Sequence, residues 1–174
     1  SNLKAADTKL TSRTEGPLFY VTNTKADVIL KSSELKYEGN VLAKVSGNNI
    51  NNWGTPGSNG GNLTLTAIDQ KLKGRIICDE ISTVNLKLKE SSSFSGSINS
   101  DNKGKYIKVS LAEDADWKLS GDAYVNVLTN ADQSCSNIDS GGYSIYYDTA
   151  DSANSWLAGR TISLAGGGKI APRG

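Results

Sequence analysis

Large apolar residues fall at every second position in short runs along this chain, and the runs themselves recur. Leu63 and Leu65, then Val84, Leu86 and Leu88, then Ile107, Val109 and Leu111 alternate with polar neighbours. A period of two is that of a half-buried strand. Each run leads into a polar corner (AIDQ, ESSS, AEDAD) and then a single bulky residue: Leu72, Phe94 or Trp117. Successive bulky residues are 22 and 23 positions apart, and the order Leu72–Gly74–Ile76 returns as Phe94–Gly96–Ile98.

Residues 60–80, 81–101 and 102–126 can thus be laid over one another as three units. Upstream the cadence is looser: Leu3 to Val28 and Leu10 to Leu35 both step by 25 residues. The Asn- and Gly-rich stretch 48–61 reads as a loop insertion. Downstream, SGGYSIYYDTA and AGRTISLAGGGKIAP read as further strands, with a loop over Asp148 to Leu157 and a cap region over 148–174.

Self-similarity near 22 residues marks a solenoid, in which one repeat cannot bury its apolar face alone and stacks on the next. The leucine-rich-repeat order is missing. An antiparallel sandwich also uses short, regularly spaced strands, but no hairpin dipeptide separates a pair of alternating runs here. The pattern predicts one all-β domain over 1–174, a parallel β-helix of about seven coils. Phe94 and Ile98 become inward ladder residues, with Phe94 between Leu72 and Trp117. Gly96 is expected where the coil turns and approaches its neighbours.

Composition changes little in that picture. The chain of 174 residues carries 19 basic and 18 acidic side chains, no His and no Met. Gly, Ser, Asn and Thr abound, as short strands joined by tight turns require. A net charge of +1 offers no basic footprint for nucleic acid, and no apolar run is long enough to span a membrane. The opening SNLKAADTKL is polar and resembles no signal peptide. Cys78 and Cys135 are too far apart for a metal knuckle; two buried thiols are expected, with a disulfide as the alternative.

Without His, Ser/His and Cys/His nucleophile systems are excluded, and no phosphate-cradling motif appears. Asp79 and Asp101, 22 residues apart, would stack on the outer wall, where calcium could serve oxygen-rich corners. Asp69, Ser91 and Asp114 form a second such column. Alternatively these are solvated turn residues bonding their own backbone. Trp53 lies in the insertion, where burial is least expected, and exposed aromatic faces stack on sugars. Tyr143, Tyr146, Tyr147 and Trp156 form either a second platform or a cap on the last coil. Alternation points Tyr143, Ile145 and Tyr147 one way and Tyr146 the other. Trp117, aligned with Leu72 and Phe94, reads as core.

The phrases GPLFYVTNTKADVIL, NNWGTPGSNGGNLTLTA, ISTVNLKLKESSSFSGSIN and WKLSGDAYV together resemble a family of bacterial, clostridial-type secreted β-helix carbohydrate-binding domains. The resemblance covers residues 16–147. It implies a right-handed, pectate-lyase-like fold and an extracellular or cell-surface module that does not catalyse. That module would bind plant polysaccharide, such as polygalacturonate or cellulose, with calcium. The chain is shorter than full members, which implies missing N-terminal coils. The resemblance carries over no ligand residues; from the residues themselves, Trp53, Tyr143, Tyr146 and Trp156 are the stacking candidates and Asp79 and Asp101 the candidate calcium-linked acidic site. Two other functions remain open: a structural subunit self-associating end to end through unpaired edges, and a polysaccharide lyase using Arg75 beside Asp79.

Overall fold

Leu72, Phe94 and Trp117 stand in register on three successive parallel strands. Their arrangement comes from a computed structural model describing residues 1–50 and 53–174. The first coil holds β1 (Asn2–Ala6), β2 (Lys9–Thr11) and β3 (Phe19–Val21). The second repeats it as β4 (Thr24–Lys31), β5 (Glu34–Lys36) and β6 (Val41–Val45). Coils three and four have two longer strands each: β7 (Gly61–Ile68) with β8 (Lys71–Cys78), and β9 (Thr83–Leu88) with β10 (Ser93–Ile98). The fifth runs through β11 (Tyr106–Leu111), β12 (Asp116–Leu119) and β13 (Ala123–Tyr124), the sixth through β14 (Val127–Asn130), β15 (Ile138–Asp139) and β16 (Ile145–Tyr147). A 3-10 helix (Ser152–Leu157), β17 (Ile162–Ser163) and β18 (Lys169–Pro172) complete the last turn. The molecule is an all-β, parallel solenoid of about seven turns.

Two six-stranded walls result, one ordered β1-β4-β7-β9-β11-β14 and the other β3-β6-β8-β10-β12-β15. Both step-25 pairings read from the sequence are present, Leu3 opposite Val28 and Leu10 opposite Leu35. On the first wall Val28, Leu65, Leu86, Val109 and Leu128 form one inward column, all 5% exposed or less. On the second, the Phe94 and Trp117 rings stack with centroids 5.9 Å apart and planes 22° apart. Fully burying a side chain of this size contributes about 1.5–3 kcal/mol, so the ladder is the main source of stability.

Gly96 departs from expectation in its location. It lies inside β10, directly opposite Gly74 of β8, not at a corner. A Cβ there would meet the Gly74 carbonyl oxygen at 1.9 Å and the Phe94 ring at 2.4 Å. Trp117 Nε1 donates to the Gly96 carbonyl at 3.1 Å, which ties the indole of the next coil to the same point. Close approach, the other half of the expectation, holds.

The C-terminal end is closed by side chains. The Leu128 amide of β14 donates to Asn154 Oδ1 at 2.9 Å, and Trp156 Nε1 donates to the Leu128 carbonyl at 2.9 Å. Asn154 Nδ2 donates to the Asn126 and Asp148 carbonyls, both at 2.7 Å. The 3-10 helix thus supplies an Asn side-chain amide and a Trp indole N–H where a further strand would have supplied backbone. A loop was expected here. Beside it β17 runs antiparallel to β18. At the opposite end Leu3 is 40% exposed and Leu10, Leu18 and Phe19 are half-buried. Cys78 and Cys135 are buried free thiols, and burial, reinforced by the Asp79 charge, pushes the Cys78 thiol up to about 12. Among the described residues no helix is long and apolar enough to cross a membrane.

Candidate functional site

Because Ile107, Val109 and Leu111 point inward, the same strand must present Tyr106, Lys108 and Ser110 outward. Register then sets their neighbours. Lys25, Asn62, Thr83 and Tyr106 form one outer column, and Asp27, Thr64, Asn85 and Lys108 form the next. Between them lies a shallow depression of about 390 Å³, lined by Lys25, Asn62, Thr64, Thr83, Asn85, Tyr106 and Lys108. Thr83 Oγ1 donates to Asn62 Oδ1 at 2.8 Å, which holds both side chains flat against the wall. Asn85 Oδ1 is buried and has no hydrogen-bond partner.

The Tyr106 side chain is 41% exposed. Its hydroxyl donates to Asp151 Oδ2 at 3.0 Å, and Asp151 Oδ1 accepts from the Ala153 amide to cap the 3-10 helix. The ring is therefore fixed at both ends, by its own strand and by the cap. Partial burial and the Asp151 carboxylate raise the phenol's pKa, so it stays a neutral donor at physiological pH. Chemically the surface offers an apolar ring face, amides, hydroxyls and two ammonium groups. Its lining contains no carboxylate, imidazole or thiol.

Charge is sorted by structure. Of 19 basic residues, all but Arg13, Lys89, Lys103, Lys105, Arg160 and Arg173 lie in strands. Of 18 acidic residues, only Asp27, Glu34, Asp116 and Asp139 do. The corners explain the acids. Asp7, Ser32, Asp69 and Ser91 adopt left-handed φ values of 50°, 47°, 44° and 54°, a conformation that short polar side chains tolerate best. Ser32 Oγ donates to Asp69 Oδ2 at 2.8 Å, and Ser91 Oγ to Asp114 Oδ2 at 3.1 Å. Lysine stems lie instead along the sheet faces. A chain of nearly zero net charge thereby has basic walls and acidic edges.

The residues singled out from sequence do not converge. Trp53 is 51% exposed on the insertion, where Asn59 Nδ2 donates to the Trp53, Asn48 and Asn49 oxygens at 2.9–3.2 Å; Asn51 and Asn52 lie outside the described residues. Tyr143 lies after the Gly141–Gly142 turn, two residues before β16 begins, and is 42% exposed while Ile145 and Tyr147 are buried, so it does not point with them. Tyr146 stacks on Tyr124 at 5.0 Å. Tyr147 is fully buried, and Trp156 is bonded into the cap. Asp79 accepts from the Gly47 amide at 2.9 Å and the Ile81 amide at 3.4 Å, while Asp101 is exposed beside Arg75, Ser97 and Ser100. No cluster of three or more His, Cys, Asp or Glu side chains suited to a metal occurs among the described residues. Tyr106 was missed, though the outward parity of YIKVSL carried the signal.

The architecture defines the class: a parallel β-solenoid with an exposed aromatic and amide face. Comparison with the models of known protein families, with curated proteins and with solved structures found no match. The likeness to secreted carbohydrate-binding β-helices accordingly remains a reading of the sequence phrases alone.

Proposed function

We propose that this protein binds an extended polysaccharide without cleaving it, along the outer face of the wall that carries Tyr106. The observation that carries this reading is the Tyr106 ring, fixed by Asp151 and facing solvent beside Asn62, Thr83 and Asn85. Sugar rings present C–H faces to aromatics and hydroxyls to amides, and a rigid platform pays little ordering entropy on binding. Lys25 and Lys108 at the same depression favour an acidic chain, such as polygalacturonate, over neutral cellulose. Such a ligand goes with a secreted or surface-attached module.

The test is affinity electrophoresis and calorimetry against polygalacturonate, cellulose and uncharged dextran. Tyr106→Ala is expected to weaken polygalacturonate binding at least about tenfold, equivalent to ~1.4 kcal/mol, with unfolding temperature nearly unchanged. Binding through ammonium groups is expected to survive chelation of calcium; loss of binding in EDTA would move the site to Asp79 and Asp101. Absence of retention on any polymer would end the proposal. End-to-end stacking through the C-terminal end would have to displace the Asn154–Trp156 cap, so binding is the favoured reading. The lyase reading lacks support in the geometry, since both Asp79 oxygens are engaged by backbone amides.

A further inference from the structure

We propose that a second, independent groove at the N-terminal corner, between Arg13 and Lys36, takes the anionic group of an acidic sugar chain, either carboxylate or sulfate. It rests on the polysaccharide reading above for its sugar, and on its own residues for the charge. The groove has a volume of about 540 Å³ and is lined by Lys9, Ser12, Arg13, Lys36, Tyr37 and Glu38, with Thr11 at its edge.

Two stacked turns build it. The Ser12 amide donates to the Lys36 carbonyl at 2.9 Å, so the first coil's turn leaves its strand directly over the second's. Gly39 packs so closely on the first turn that a Cβ would lie 2.6 Å from the Glu15 carbonyl oxygen. Tyr37 donates its hydroxyl to the Lys73 carbonyl of the third coil, which holds the ring as one wall of the groove. The walls are thus set before any ligand arrives.

Its charges are mostly uncommitted. Among the described residues the one ion pair within 4.0 Å is Lys9–Glu34, at 3.5 Å. Arg13 and Lys36 are exposed and make no such pair. Glu38 is the single carboxylate in the lining, against three cations. A guanidinium fork grips a planar carboxylate or a sulfate through two N–H groups, and a half-buried Tyr37 ring suits the sugar carrying it. Beyond the groove the cations continue as a broken line: Lys73 lies on the third coil where its carbonyl accepts from Tyr37, and Lys118 stands two coils further on, in register with it across Ser95. Coil spacing of about 4.8 Å makes that line a track for the rest of a polyanion.

The experiment titrates the whole chain with a galacturonate trisaccharide, a sulfated dextran oligosaccharide, neutral dextran and a short single-stranded DNA, watched by calorimetry and NMR. Wild type is expected to bind the acidic oligosaccharides, with shifts at Arg13 and Tyr37, and not to bind neutral dextran. The galacturonate and sulfate arms decide which anion is preferred. The double variant Arg13→Gln/Lys36→Gln is expected to lose at least about tenfold in trisaccharide affinity at unchanged unfolding temperature, whereas Lys169→Gln, which removes an exposed cation on β18 outside both surfaces, keeps trisaccharide binding. Equal trisaccharide binding by the double variant, or DNA binding as tight as the sugar, overturns the groove assignment and leaves the Tyr106 surface standing. Normal binding of long polymer by Tyr106→Ala, with loss in the double variant, overturns the Tyr106 surface and upholds the groove.

Discussion

A single glycine shows how little slack the interior has. At Gly96 the carbonyl of the coil beneath and the Phe94 ring together leave no room for a methyl group, and the contacting carbonyl belongs to a paired strand that cannot withdraw. Gly96→Ala is expected to cost about 3 kcal/mol or more, read as a lowered midpoint in urea; wild-type stability would show that β8 and β10 sit farther apart. Cys78 gives a pH prediction. Burial holds its thiol protonated up to about 12 against an ordinary value of 9.0. Between those values the unfolded state loses the proton that the native state keeps, so stability falls as pH rises from about 9 toward 12. Burial raises the Tyr37 and Tyr147 phenols as well, which adds loss of the same sign above pH 10. Unfolding midpoints at pH 8 and 10.5 should differ in that direction, and Cys78→Ser should reduce the difference.

At the scale of elements, the 3-10 helix and β14 make one unit. A parallel edge strand left open is a template for further pairing, and here the Asn154 side-chain amide and the Trp156 indole N–H occupy it. Removing Asn154 orphans the Leu128 amide and two carbonyls, Asn126 and Asp148, at about 1–3 kcal/mol for each buried group left unsatisfied. Asn154→Ala is therefore expected to lower the unfolding temperature and to bring concentration-dependent association in sedimentation. A strictly monomeric variant of unchanged stability would show that the cap is not what closes this end. The insertion behaves comparably: one buried Asn59 amide holds three loop oxygens, fixing where Trp53 stands.

For the molecule as a whole, the sorting of charge matters more than its total. Basic side chains line the walls while acidic ones crowd the corners, so an acidic polymer lying across several coils meets mainly cations. Screening shortens from about 10 Å at 0.1 M salt to about 3 Å at 1 M, and polygalacturonate affinity should fall steeply over that range. The fold loss caused by Tyr106→Ala, a contact effect, should change little. Affinity independent of salt would refute the role given to the walls.

Much of this was readable from residue spacing. The 22-residue offset and the alternation of Leu63, Val84 and Ile107 with their polar neighbours specified parallel stacking, because in a solenoid sequence distance maps directly onto position along the axis. The same parity rule implied an outward Tyr106. Spacing could not show that Asn154 and Trp156 close an end, since the stretch 152–157 has no strand alternation and its polar residues suit a solvated loop as well as a cap. Nor could it show Arg13 beside Lys36 and Tyr37, or basic walls inside a neutral composition. Those depend on which turns stack and which corners demand left-handed backbone. Local sequence chose strand or corner for each residue; only the winding of the coils determined which side chains, 20 or more residues apart, share one surface.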